Sequence, residues 1–205
     1  MAAIVKICGI TCVEDALIAA DAGADAVGLM FYDGSPRHVS VGRAGEIHRA
    51  LPPHISRVGV FVNADAAEVT QAIAACGLSI LQFHGEETPE FCRQFPLMTV
   101  KAFRVSDAQS LSPLQKYATD AWLLDAHIPD ARGGTGTRFN WDLAVEAQKL
   151  GRPILLAGGL TPENVGEAIA RVQPFGVDVS SGVELAPGRK CPEKVRAFVA
   201  AARSA

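Results

Sequence analysis

No stretch of this 205-residue chain approaches the ~20 consecutive apolar residues that a membrane-spanning helix requires. Long blocks of like charge and low-complexity tracts are missing too, which removes the compositional case for disorder. The start, Met1-Ala2-Ala3, lacks the basic segment and apolar stretch of a secretory signal, so a cytoplasmic protein is the expectation. A net charge of −3, with Lys and Arg scattered, provides no basic face for nucleic acid. None of the five cysteines, Cys8, Cys12, Cys76, Cys92 and Cys191, stands in Cys-x-x-Cys spacing, and no His-Glu-x-x-His occurs, so a zinc site or other metal dependence is not expected. Free cysteines are usually small packing residues, and that is the expectation for Cys12, Cys76, Cys92 and Cys191.

What the chain has, at 49% apolar residues, is a recurring pattern. Apolar, β-branched runs begin at Ile4, Ala26, Arg57 and Ile80 and again at Met98, Ala121, Pro153 and Gly176, giving offsets of 94, 95, 96 and 96 residues between the two sets. Each is followed by a stretch of helical spacing, often with a start signal: Thr11 with Glu14, Thr88-Pro89-Glu90, Thr161-Pro162-Glu163-Asn164 and Cys191-Pro192-Glu193. Gly23, Gly77 and Gly151 are placed to stop three of these helices. Near-continuous apolar strands are those of a parallel sheet covered on both faces. Eight strand-helix units spanning residues 1–205 therefore predict a single-domain α/β fold, a (β/α)8 TIM barrel made of two similar halves. The long intervals fall after the second and sixth strands, in "DGSPRHVS" and "IPDARGGTGTRFN", on the face where barrel enzymes carry their chemistry.

The strand ends carry the candidate functional residues. Gly158-Gly159 after the seventh strand and Ser180-Ser181-Gly182 after the eighth form a glycine-bearing pair of turns, where backbone N–H groups can approach a phosphate. The alternative is that these glycines only relieve crowding. Asp125 ends the run "AWLLD", where desolvation would raise its pKa and suit it to general acid catalysis; it could instead hydrogen-bond the following loop. Arg37, behind Ser35-Pro36, can clamp a carboxylate or phosphate, or remain a solvated loop arginine. His84 and His127 are each either a base or a packing residue. Lys6 and Asp178 fall on adjacent strands and suggest a structural ion pair in the lower interior. Cys8, in "KICGIT", ends the first strand, with Gly9 leaving room for substrate and Thr11 opening the helix behind.

With those residues in place, the sequence resembles the phosphoribosylanthranilate isomerase family over essentially its full length. The motifs are "KICGIT", "SPRHVS", "GVFVN", "LQFHG", "LLDA", "GGTGTRFNW", "LAGGLTPENV" and "DVSSGVE", in the family's order. Thr137 and Asn140 depart from the usual form of the sixth motif, and Phe83 stands where leucine is common. The resemblance implies a cofactor-independent Amadori rearrangement of N-(5-phosphoribosyl)anthranilate in tryptophan biosynthesis, by a monomer or homodimer. It also implies Cys8 as general base, Asp125 as general acid, Arg37 on the anthranilate carboxylate, His84 at the substrate and the two turns on its phosphate. The alternatives are another phosphosugar-processing barrel enzyme and a non-catalytic phosphometabolite-binding protein.

Overall fold

Runs rich in Val, Ile and Leu form the strands expected of them. The structure, a computed structural model, describes residues 2–125 and 141–205. Its barrel strands are β1 (Ile4–Cys8), β2 (Ala26–Met30), β3 (Ser56–Phe61), β4 (Ile80–Phe83), β5 (Met98–Arg104), β6 (Ala121–Asp125), β7 (Ile154–Ala157) and β8 (Gly176–Val179). They are parallel and close in sequence order, β8 returning to β1 through the register Lys6 opposite Asp178. The helices are α1 (Val13–Asp21), α2 (Val41–Ala50), α3 (Ala66–Cys76), α4 (Pro89–Arg93), α5 (Trp141–Gln148), α6 (Val165–Val172) and α7 (Pro192–Arg203). None of them is long and apolar enough to cross a membrane.

Two apolar layers follow from the twofold alternation of strand side chains. One parity, including Val5, Ile7, Val27, Leu29, Phe61, Leu81, Trp122, Leu124, Leu156 and Val177, packs outward against the helices and makes the main core. The other, including Val58, Val60, Val100, Ala102, Leu123 and Leu155, fills the barrel. Phe83 belongs to the outer layer, its ring 6.2, 5.6 and 5.7 Å from those of Phe61, Phe91 and Phe95. An aromatic at this position therefore extends a ring cluster and leaves the barrel interior unchanged.

Local signals explain most helix boundaries. Asp65 and Glu68 form a reciprocal capping box on α3, which stops at Gly77 in the left-handed conformation. Thr88 caps α4 ahead of Pro89, and Gly23 and Gly151 take positive φ after α1 and α5. Three expectations need correction. The stretch after β5 forms no α-helix but two single-turn 3-10 helices, Ala108–Leu111 and Leu114–Lys116. Pro113 lacks an N–H and its ring excludes the carbonyl of residue 109, so an α-turn started at Ala108 cannot propagate. Thr11 does not cap α1: Cys12 occupies that position without a side-chain bond, while Thr11 Oγ1 donates to Gly188 O at 2.6 Å. Cys12 is accordingly half-buried, whereas Cys76, Cys92 and Cys191 are buried, and burial pushes the Cys92 thiol up to about 11.

The third correction concerns the segment after the eighth strand, which does not lead directly into the helix that follows Cys191. The chain turns at Ser180 (φ −126, ψ −81), passes through the 3-10 turn Ser181–Val183, and enters a hairpin of β9 (Glu184–Ala186) and β10 (Arg189–Lys190). Gly188, at φ +78, supplies the hairpin turn, and Thr11 pins it to the barrel. Behind β4 and β5, Lys101 and Glu87 form a buried ion pair at 3.1 Å that ties down the start of the β4–α4 loop.

Candidate active site

The strand C-termini open onto a cavity of about 550 Å³. Its wall includes Cys8 from β1, Arg37 from the loop after β2, His84 after β4, Asp125 from β6, Gly158 and Gly159 after β7, and Ser180 and Ser181 after β8. Residues from six loops and strand ends thus meet in one concavity because the parallel strands all finish at the same end of the barrel. His127 and the "GGTGTRFNW" motif before Trp141 lie outside the described residues.

Cys8 points inward beside Gly28, its partner in the β1–β2 register. A Cβ on Gly28 would stand 2.6 Å from Cys8 Sγ and 3.1 Å from Lys6 Nζ, so the missing side chain is what lets the thiol and ammonium share that space. Lys6 Nζ donates to Asp178 Oδ1 at 2.8 Å, with both side chains nearly enclosed. The ion pair expected in the lower interior is formed there, directly beneath the thiol, and Asp178 also reaches the cavity wall. Burial pushes the Cys8 thiol up; Lys6 pulls it down, Asp178 pushes it further up and Lys190 pulls it down, and burial prevails. Burial also opposes the charge on Lys6, but Asp178 and Cys8 outweigh it and hold the ammonium form above its ordinary range.

Asp125 stands at the rim. Its carboxylate Oδ2 is 3.4 Å from His84 Nε2, and both side chains keep between a fifth and a quarter of their surface exposed. The desolvation suggested by its apolar strand is therefore partial, because the mouth of the barrel begins where β6 ends.

Arg37 is oriented by two sets of contacts. Ser35 Oγ accepts from the Arg37 backbone N–H at 3.1 Å, shaping the loop. The guanidinium donates from Nε and Nη2 to the two oxygens of Glu184 at 2.8 and 2.6 Å, a fork-to-fork pair. Glu184 also accepts from Lys190 Nζ at 2.9 Å and from the Gly188 N–H at 3.2 Å. Burial would raise the Glu184 carboxyl, but Arg37 and Lys190 together hold it below its ordinary value. Gly9, at φ +73, is crowded by this arrangement: a Cβ there would lie 2.6 Å from Arg37 Cδ and 2.9 Å from Ser180 Oγ. The space expected for substrate at Gly9 is thus occupied by the arginine stem and the serine hydroxyl.

The turns after β7 and β8 are arranged differently from one another. Gly158 and Gly159 take φ of +81 and +67, a conformation that side chains resist. Gly182 is instead needed for contact, since any Cβ would strike the Leu160 carbonyl, and it draws the two turns together. No acceptor for the N–H groups of Gly159, Leu160, Ser181 and Gly182 is found among the described residues, and Ser180 Oγ is buried without a partner. Such clustered donors suit an anion with several acceptor oxygens.

A family model described as N-(5'-phosphoribosyl)anthranilate isomerase matches residues 5–201. The chain belongs to that family. A relative in Geotalea uraniireducens, named N-(5'-phosphoribosyl)anthranilate isomerase, is 56% identical over 199 residues, 97% of this chain and 98% of that one. The crystal structure of phosphoribosyl anthranilate isomerase from Thermotoga maritima has a TM-score of 0.93 and 41% identity, covering 99% of this chain and all of the other. A phosphoribosyl anthranilate isomerase in complex with reduced 1-(o-carboxyphenylamino)-1-deoxyribulose 5-phosphate has a TM-score of 0.90 and 40% identity, with the same coverage.

In this member of the isomerase family, the structure brings Cys8, Arg37, His84, Asp125, Gly158, Gly159, Ser180 and Ser181 to one cavity and places Gly182 just behind it. Sequence reasoning missed Gly28, Glu184 and Lys190. Glu184 lay within the quoted "DVSSGVE", but its partner Arg37 is 147 residues away. The signal for Gly28 was a glycine inside an apolar strand, which marks a close approach.

Proposed function

We propose that this chain is a cytoplasmic, single-domain N-(5'-phosphoribosyl)anthranilate isomerase of tryptophan biosynthesis. It converts phosphoribosylanthranilate to 1-(2-carboxyphenylamino)-1-deoxyribulose 5-phosphate without a cofactor. The observation that carries this reading is the order of groups around the barrel: Asp125 on β6, the anion-ready turns after β7 and β8, Cys8 on β1 and Arg37 after β2. A phosphate seated on the two middle turns leaves the sugar between a carboxyl on one side and a thiol on the other.

Asp125, as a carboxylic acid, delivers a proton to the ribose ring oxygen as the C1–O bond breaks. The anthranilate nitrogen lone pair forms the C1=N bond of a Schiff base, which acidifies the proton on C2. Cys8, as thiolate, removes that proton, the electron pair forms C1=C2, and the resulting enolamine tautomerises to the ketone. Arg37, held in the Glu184 fork, receives the anthranilate carboxylate, and His84 contacts the substrate from the β4 side. Because burial holds the Cys8 thiol above its ordinary range, the thiolate is a minor form at neutral pH.

Turnover is followed by loss of anthranilate-type fluorescence. Cys8→Ser and Asp125→Asn are each expected to lower kcat by about 100-fold or more, with substrate still bound. Purified protein that binds the substrate but does not convert it would refute the isomerase reading. Near-parental turnover in either variant would remove that residue from its role.

A further inference from the structure

We propose that Lys6 is a positioning residue for the base, its ammonium held by Asp178 against the inner side of the Cys8 sulfur so that a thiolate can exist in the barrel. The role of Cys8 as base rests on the isomerase reading above; the electrostatic assignment does not.

Lys6 and Cys8 are two residues apart on β1, so both side chains point into the barrel. The lysine starts one layer lower and reaches upward, and its Nζ and the cysteine Sγ converge on the single point that the absent side chain of Gly28 leaves open, 3.1 and 2.6 Å away. Asp178, directly opposite Lys6 in the β1–β8 register, takes one ammonium donor at 2.8 Å. Among the described residues no other oxygen accepts from Nζ, so an ammonium with three donors retains capacity for the sulfur beside it. A lysine serving only to neutralise Asp178 would not need the empty space at Gly28.

The charges facing this site support the same role. Lys6 from β1, Lys190 from β10 and Arg37 from the loop after β2 act on Cys8, as does Asp178 from β8. Glu184 of β9 binds both Lys190 and Arg37, and His84 and Asp125 face the cavity from the other side. Three cations beside two carboxylates leave one positive charge, which a thiolate neutralises. When Cys8 takes the C2 proton, an S–H bond forms, the C–H electron pair stays on the substrate, and Lys6 keeps all its protons. The lysine thus acts through the sulfur and need not touch substrate.

The test follows iodoacetamide alkylation of Cys8 against pH in substrate-free protein, with mass spectrometry of the Cys8 peptide, and kcat/KM against pH in parallel. Lys6→Met is compared with the parent, and the neutral pair Lys6→Met/Asp178→Asn with Asp178→Asn, so that the aspartate's own push on the thiol cancels; the double variant leaves no unpaired buried carboxylate if the single one fails to fold. The alkylation midpoint is expected to move up by about one pH unit, slowing reaction about tenfold at pH 8, and the alkaline limb of kcat/KM should move with it while KM changes little. An alkylation profile of Lys6→Met that overlays the parent, or of the folded double variant that overlays Asp178→Asn, overturns the proposal. A shifted alkylation profile with an unmoved kcat/KM limb upholds the Lys6 assignment and instead removes Cys8 as base.

Discussion

Replacing Glu184 with Gln changes one buried side chain that organises the Arg37 side of the cavity. The carboxylate accepts from Arg37 Nε and Nη2, Lys190 Nζ and the Gly188 N–H, and only 5% of its side chain is exposed. Glutamine keeps one acceptor oxygen and turns a donor toward the other cation, so at least one charge-assisted bond is lost and Lys190 remains buried. Breaking a fully buried pair costs about 3–5 kcal/mol; Arg37 keeps about a fifth of its side chain exposed, which places the loss near the lower limit, about 3 kcal/mol. For a chain of this size that lowers Tm by roughly 6–12 °C in a circular dichroism melt. KM should rise about tenfold as Arg37 loses its fixed direction, while the turns after β7 and β8 are untouched. The acid side has a definite sign: a carboxyl held below its ordinary value stabilises the fold above the unfolded pKa of about 4.3 and loses that contribution as pH falls further. Glu184→Gln should therefore flatten the loss of stability below about pH 4.3. A variant with parental Tm and KM would show that the fork does not position Arg37.

Gly28→Ala places a methyl group where Cys8 Sγ and Lys6 Nζ now approach. It should cost about 1–3 kcal/mol and reduce kcat at least about tenfold, and unchanged kinetics would mean the thiol has no required position. Among the described residues, Lys101→Met leaves the buried Glu87 carboxylate only the Asn63 and Gly85 amides for partners. A drop in Tm of about 10 °C is expected, from a loss near 3–5 kcal/mol, and a melt within 2 °C of the parent would deny that this pair secures the β4–α4 loop.

Strand positions, the closed order and the mouth-facing residues were accessible from the sequence because each depends on periodicity within a short segment. An apolar, β-branched run of four to seven residues that alternates with helical stretches reads as a buried parallel strand, and its last inward residue reaches the mouth. That reasoning located Cys8 and Asp125 and both anion-ready turns. It failed where one side chain had two possible partners. Thr11 has the pattern of a helix cap, yet its hydroxyl bonds the hairpin at Gly188; Asp107 opens a helix-like stretch that Pro113 cuts short.

The remaining details depended on chain closure. Lys6 meets Asp178 across 172 residues, and Arg37 meets Glu184 across 147. No local rule selects such partners, because the energy of a buried charge depends on what surrounds it after the strands have closed. By itself the sequence determined the barrel, its functional end and the chemical groups placed there. Only the tertiary structure decided that a lysine lies beneath the thiol, a glutamate steers the arginine, and a glycine on the neighbouring strand makes room for both cysteine and lysine.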